Sequence, residues 1–136
     1  MTYKRYGREC EPEKMNAIEF SRKAINYDRS DVNKLNKHNT ETIVHFMAKA
    51  TAFYLLRNLG HDVITEFCIE GIGKGDLLDL KTRVQYEIET QKSIANINKS
   101  KEKYKQAGVE LVIIQIRNVP ADIHAMKEHI QQFIRP

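Results

Sequence analysis

Between residues 39 and 60, apolar side chains recur at helical spacing: Ile43, Met47, Ala50, Tyr54 and Leu55. Asn39 or Thr40 is placed to cap this helix, Glu41 then falls in its first turn where the dipole favours a carboxylate, and Gly60 is a natural stop. From His61 to Ile69 the period changes to two, with Val63, Thr65, Phe67 and Ile69 alternating with more polar neighbours, which predicts a strand. Gly71, Gly73 and Gly75 break the chain, and two further strands are predicted, Asp76 to about Lys81 and Val84 to about Gln91, close enough to form a hairpin. Ser93 is placed to cap a lysine-rich helix that runs to Gly108. Val109 to Arg117 is a β-branched apolar run of the kind buried inside a sheet. After Pro120, residues Ala121 to Ile134 predict a last amphipathic helix with Ile123, Met126, Ile130 and Phe133 on one side.

The order is helix, three strands, helix, strand, helix: an α/β fold with a mixed central sheet, the crossover into the last strand being parallel. The first 38 residues form a polar N-terminal extension ahead of this domain at 39–136. Within the extension, Pro12 opens a short predicted helix through Ala24 that places Met15, Ile18, Phe20 and Ile25 loosely on one side, and residues 33–39 read as loop. The remainder of the extension is expected to be flexible.

Composition narrows the class. Of 136 residues, 41% are hydrophobic and 29% charged, as in an ordinary globular protein of one domain. No apolar run approaches the roughly 20 residues of a bilayer crossing, so no membrane partner is expected. The charged start, Tyr3 to Lys14, lacks the apolar core of a secretory signal. Cys10 and Cys68 form no CxxC pair and read as two free thiols in a reducing, cytoplasmic setting. The formal charge of +4 is mild and matters only where lysines cluster.

The candidate chemistry lies between Gly73 and Ser93. If Leu80 sits opposite Gln85, Asp76 lies across from Glu89, with Glu87 its diagonal neighbour on the same face; side chains so placed are about 5 to 8 Å apart. A connection with an odd number of residues would turn Asp76 to the other face. Carboxylates that converge repel one another when empty, and a divalent cation with hard oxygen ligands relieves that repulsion. Alternating charge on a solvated outer face is the plain alternative.

With Asp76 opening one strand and Glu87-Ile88-Glu89 on the next, in an αβββαβ order over Asn39 to Arg117, the chain resembles the PD-(D/E)XK nuclease superfamily, the restriction-endonuclease-like fold shared by archaeal Holliday-junction resolvases. The resemblance implies Mg²⁺ (or Mn²⁺) bound by Asp76 and Glu87, with the Ile88 backbone carbonyl as a further ligand and Glu41 of the first core helix joining them. Gly75 stands where the family's proline precedes the aspartate, and Glu89 stands at the lysine position. The lysine's part then falls to Glu89 or to Lys92, which strand parity sets on the opposite face unless the strand ends or bulges near Gln91.

The following helix gathers Lys99, Lys101, Lys103 and Lys105, which would hold a phosphate backbone without reading sequence, or else simply solubilise the helix. Tyr3, Lys4, Arg5, Tyr6 and Arg8 form an aromatic-basic arm of similar aptitude. His45, one turn after Glu41, is a core-edge residue or an outer partner of the site, while His124 and His129 read as surface. The function expected is hydrolysis of DNA phosphodiester bonds by a metal-dependent endonuclease. A catalytically inactive DNA-binding module on the same fold is one alternative, and an assembly or scaffold protein another. A homodimer would suit two cuts on two strands, with the last helix's apolar stripe as its surface.

Overall fold

The computed structural model describes residues 3–5, 8–10, 16–20, 23–37, 39–65, 67–69, 75–90, 94–106 and 108–136, with side chains from residue 27 onward apart from 94, 95 and 106. It is a mixed α/β fold. Four strands form the central sheet in the order β5 (Val63–Ile64), β7 (Leu77–Asp79), β8 (Val84–Glu89) and β9 (Glu110–Gln115), antiparallel as far as β8 and parallel between β8 and β9. Among the described residues, the α-helices are α1 (Ile43–Asn58), α2 (Ile94–Gln106) and α3 (Ile123–Gln131). The parallel crossover through α2 into β9 is as expected.

One sheet face, carrying Val84, Tyr86, Ile88, Val112 and Ile114, packs on Ala48, Ala52 and Leu56 of α1 and on Met126 and Ile130 of α3. The other, with Leu78 and Leu111, receives Tyr104 of α2. The phase of α1 differs from the expected stripe. Small alanines let the helix approach the sheet closely, so Ala48, Ala52 and Leu56 are fully buried, whereas Ile43 and Tyr54 are 66% and 55% exposed. The helix also starts later than expected. Thr42 is the cap, its side chain accepting from the His45 backbone N–H at 3.1 Å, so Glu41 precedes the first turn. At the other end Gly60, with φ +82°, takes the left-handed conformation that closes the helix.

Four further expectations are corrected. The strand from His61 to Ile69 is two short ones: β5 joins the central sheet, while β6 (Cys68–Ile69) pairs with β4 (Lys23–Tyr27). The helix expected from Pro12 to Ala24 gives way to strands β3 (Asn16–Phe20) and β4, an antiparallel pair; Pro12 itself lies outside the described residues. The extension is therefore tied to the domain, and Asn33 adds two bonds to Val63, donating from its backbone N at 2.7 Å and accepting through Oδ1 at 2.9 Å. Cys68 is buried and disulfide-bonded, which removes the free-thiol argument for a reducing compartment; the Cys10 side chain lies outside the described residues. Two residues of the expected α3 stripe, Met126 and Ile130, are buried in the core of the chain and are not part of its surface. Its remaining large apolar residue, Ile123, is 69% exposed. Tyr3–Arg5 (β1) and Arg8–Cys10 (β2) form a further antiparallel pair, with Tyr6 and the arm's side chains outside the described residues. No described helix is long and apolar enough to cross a membrane.

Candidate functional site

The β7–β8 hairpin is set by Asp79. Fully buried, it accepts the Lys81 backbone N–H at 2.9 Å and the Thr82 hydroxyl at 2.9 Å, and it holds His61 Nδ1 at 2.7 Å. These bonds fold Leu80–Arg83 into a four-residue connection, closed by Arg83 at φ 62°. The observed register puts Leu78, not Leu80, opposite Gln85. The shift of two residues preserves parity. Continued by one step beyond Leu77↔Tyr86, it brings Asp76 opposite Glu87 instead of Glu89.

Asp76 is fastened to the strand end, its Oδ2 accepting the Ile88 backbone N–H at 2.8 Å. In an extended strand the N–H and C=O of one residue point to the same side, so the Ile88 carbonyl also faces the Asp76 side. From across the sheet end comes the start of α1. Because Glu41 lies just before the cap, its side chain runs back along the helix to the residues one and two turns on. Glu41 Oε2 is bonded to His45 Nδ1, and Oε1 takes Lys49 Nζ at 2.9 Å. Lys49 is itself held by the Asn36 carbonyl at 2.6 Å, and both Glu41 and Lys49 are almost wholly buried. The other ring nitrogen of His45, Nε2, stands 3.5 Å from Asp76 Oδ2.

Glu41, His45, Lys49, Asp76 and Glu87 thus line one cavity of about 460 Å³. The hydrogen bond to Asp76 is the largest influence on His45; the charges of Asp76 and Glu41 add to it, burial opposes it, and the imidazole is raised from 6.5 to about 9. At neutral pH its positive charge sits between two carboxylates. On the Glu87 face of β8, burial first and the Glu87 charge second push the Tyr104 hydroxyl up to about 12, so it stays protonated and receives Gln85 Nε2 at 3.1 Å. Gly75 leaves room for this packing: a Cβ there would fall 1.9 Å from Gln85 Nε2, and the Gln85 side chain would have to shift.

The structure therefore brings together Asp76, Glu87 and Glu41 among the expected residues. Glu89 shares the Glu87 face of β8 but does not line the cavity, and Lys92 lies outside the described residues. Lys99, Lys101, Lys103 and Lys105 are all exposed on α2. His45, expected as a core-edge residue or an outer partner of the site, is in the lining, and Lys49 is the addition; the signal for it was the spacing Glu41-His45-Lys49, one helical turn apart each time. His129 is not a simple surface residue, since Nε2 bonds the Gln115 carbonyl at 2.5 Å. Among the described residues, no three His, Cys, Asp or Glu side chains stand close enough to enclose a metal ion as they are placed. The donor set still suits a hard dication, because Asp76 and Glu87 present carboxylate oxygens to one water-accessible cavity. Comparison of the chain with protein-family models, with curated proteins and with solved structures gives no match.

Proposed function

We propose that this protein is a metal-dependent endonuclease that hydrolyses phosphodiester bonds in DNA, on a restriction-endonuclease-like variant of the mixed α/β fold. The observation that carries this reading is the meeting of Asp76 and Glu87, from adjoining strands, with the charged start of α1 in one cavity. Asp76 and Glu87 would hold Mg²⁺ or Mn²⁺, with the Ile88 carbonyl facing the same side. Such an ion, when bound, supplies the positive charge that makes a water acidic and offsets charge on the phosphate. The chain's own groups do the remaining work. Glu41 and Lys49 fix the His45 ring so that its Nε2 faces the cavity beside Asp76. Exposed lysines of α2 attract the polyanion and set its approach. Cleavage of plasmid and branched DNA in Mg²⁺ or Mn²⁺, abolished by EDTA and restored by excess metal, is the expected result.

A second reading is a DNA-binding module without catalysis. It is favoured by Glu89 at the motif's lysine position, because the usual cation beside the scissile phosphate is then missing from β8. It predicts salt-sensitive DNA binding with no cleavage in any dication.

A further inference from the structure

The resemblance to the nuclease superfamily assigns a metal-ligand role on the first helix to Glu41, but here both Glu41 oxygens are already engaged, one by His45 and one by Lys49. The next residue in that chain of contacts, His45, brings its Nε2 to within 3.5 Å of Asp76 in the cavity. We propose that His45 is itself a ligand of the ion, through Nε2, together with Asp76 and Glu87, and that the site therefore prefers a first-row transition dication such as Mn²⁺ over Mg²⁺. This rests on the metal-dependent reading above.

Three observations carry it. An imidazole that binds metal through one nitrogen characteristically gives the other to a carboxylate, which fixes its tautomer and orientation. His45 has this arrangement, with Nδ1 on Glu41 and Nε2 turned toward the cavity. Second, two donors each about 2.1 Å from one ion at octahedral or tetrahedral angles stand about 3.0 to 3.4 Å apart. His45 Nε2 and Asp76 Oδ2 are separated by 3.5 Å. Third, the carboxylate behind the ring is held in turn: Lys49 is buried, and its bonds to Glu41 and to the Asn36 carbonyl leave Glu41 little freedom to swing out. Glu41 and Lys49 are positioning residues in this scheme and touch neither ion nor substrate. An imidazole in place of a carboxylate moves the donor set from all-oxygen toward nitrogen and oxygen, which favours Mn²⁺ over Mg²⁺.

The test is pulsed electron paramagnetic resonance of Mn²⁺ bound to the full chain, with calorimetric titration of Mn²⁺ and Mg²⁺ into wild type, His45→Gln, Glu41→Gln and Asp76→Asn. Expected are an imidazole ¹⁴N coupling in wild type that is absent in His45→Gln, and a Mn²⁺ affinity about tenfold or more weaker in both His45→Gln and Glu41→Gln. In Glu41→Gln the ¹⁴N coupling persists. Mn²⁺ that binds with dependence on Asp76 but without nitrogen coupling in wild type overturns the His45 assignment and leaves the nuclease reading intact. Failure of the wild-type protein to bind either ion overturns both. Nitrogen-coupled Mn²⁺ with no DNA cleavage upholds His45 as ligand and removes the nuclease reading alone.

Discussion

His45 and Asp76 face each other across the cavity, Nε2 at 3.5 Å from Oδ2, so the start of α1 is tied electrostatically to the start of β7. The imidazole is raised from 6.5 to about 9 in the folded protein. A raised value means that folding favours the protonated ring. The stabilisation is fully present below about pH 6.5 and is lost as pH rises through about 9. Urea unfolding in EDTA across that interval is expected to show a declining midpoint in wild type. The decline is expected to flatten in His45→Gln; an identical slope in the variant would mean that another group carries the effect.

Lys49 is the cation that keeps Glu41 from being a buried, half-satisfied charge. Lys49→Met removes one partner of a buried pair and is expected to cost about 3 to 5 kcal/mol. The double variant Glu41→Gln, Lys49→Met is expected to be less destabilised than the sum of the singles, because it leaves no lone charge behind. Denaturant midpoints for the four proteins of the cycle measure this coupling. Strict additivity would contradict the geometry.

Gly75 and Gln85 occupy one space. In Gly75→Ala the new methyl meets the Gln85 amide, which is itself fully buried and bonded to Tyr104, so the substitution is expected to destabilise by about 1 to 3 kcal/mol. Shortening the obstacle in Gly75→Ala, Gln85→Ala is expected to recover part of that loss relative to Gln85→Ala alone. Thermal unfolding of the set reads it out, and no recovery would place the strain elsewhere.

The lysines of α2 are expected to act as phosphate contacts and not as readers of bases. Substituting Lys101 or Lys105 by alanine should weaken duplex binding about equally for unrelated sequences. Each should lower the slope of log affinity against log salt by about 1. Fluorescence anisotropy over a salt series measures both quantities, and an unchanged slope would make the helix a solubilising surface only.

What the sequence disclosed, and what it hid, follows from side-chain chemistry. The β-branched run that becomes β9 was legible because few other environments accept so many bulky apolar residues, and the parallel crossover followed from it. The buried face of α1 was misread because alanines carry little hydrophobic signal, although their small size is what admits the sheet, and because Lys49 looks like a surface residue until its partners are known. Period-two alternation ran through His61–Ile69 without showing that β5 and β6 serve different sheets; it says nothing of which neighbour a strand takes. The parity that puts Asp76 and Glu87 on one face was accessible from the hairpin. The register within that parity was not, since it depends on Asp79 bonding into its own turn. Glu41 reached the cavity as expected, yet its engagement by His45 and Lys49 depends on how the start of α1 packs and is not written in the residue types.

The central claim, that Asp76 and Glu87 together hold the ion that cuts DNA, is tested most directly by single-turnover cleavage of an end-labelled duplex in Mn²⁺ by wild type, Asp76→Ala and Glu87→Gln. Wild type is expected to cleave, and each variant to lose roughly a hundredfold or more in rate while still folded by circular dichroism. Cleavage by Asp76→Ala at the wild-type rate would contradict the account.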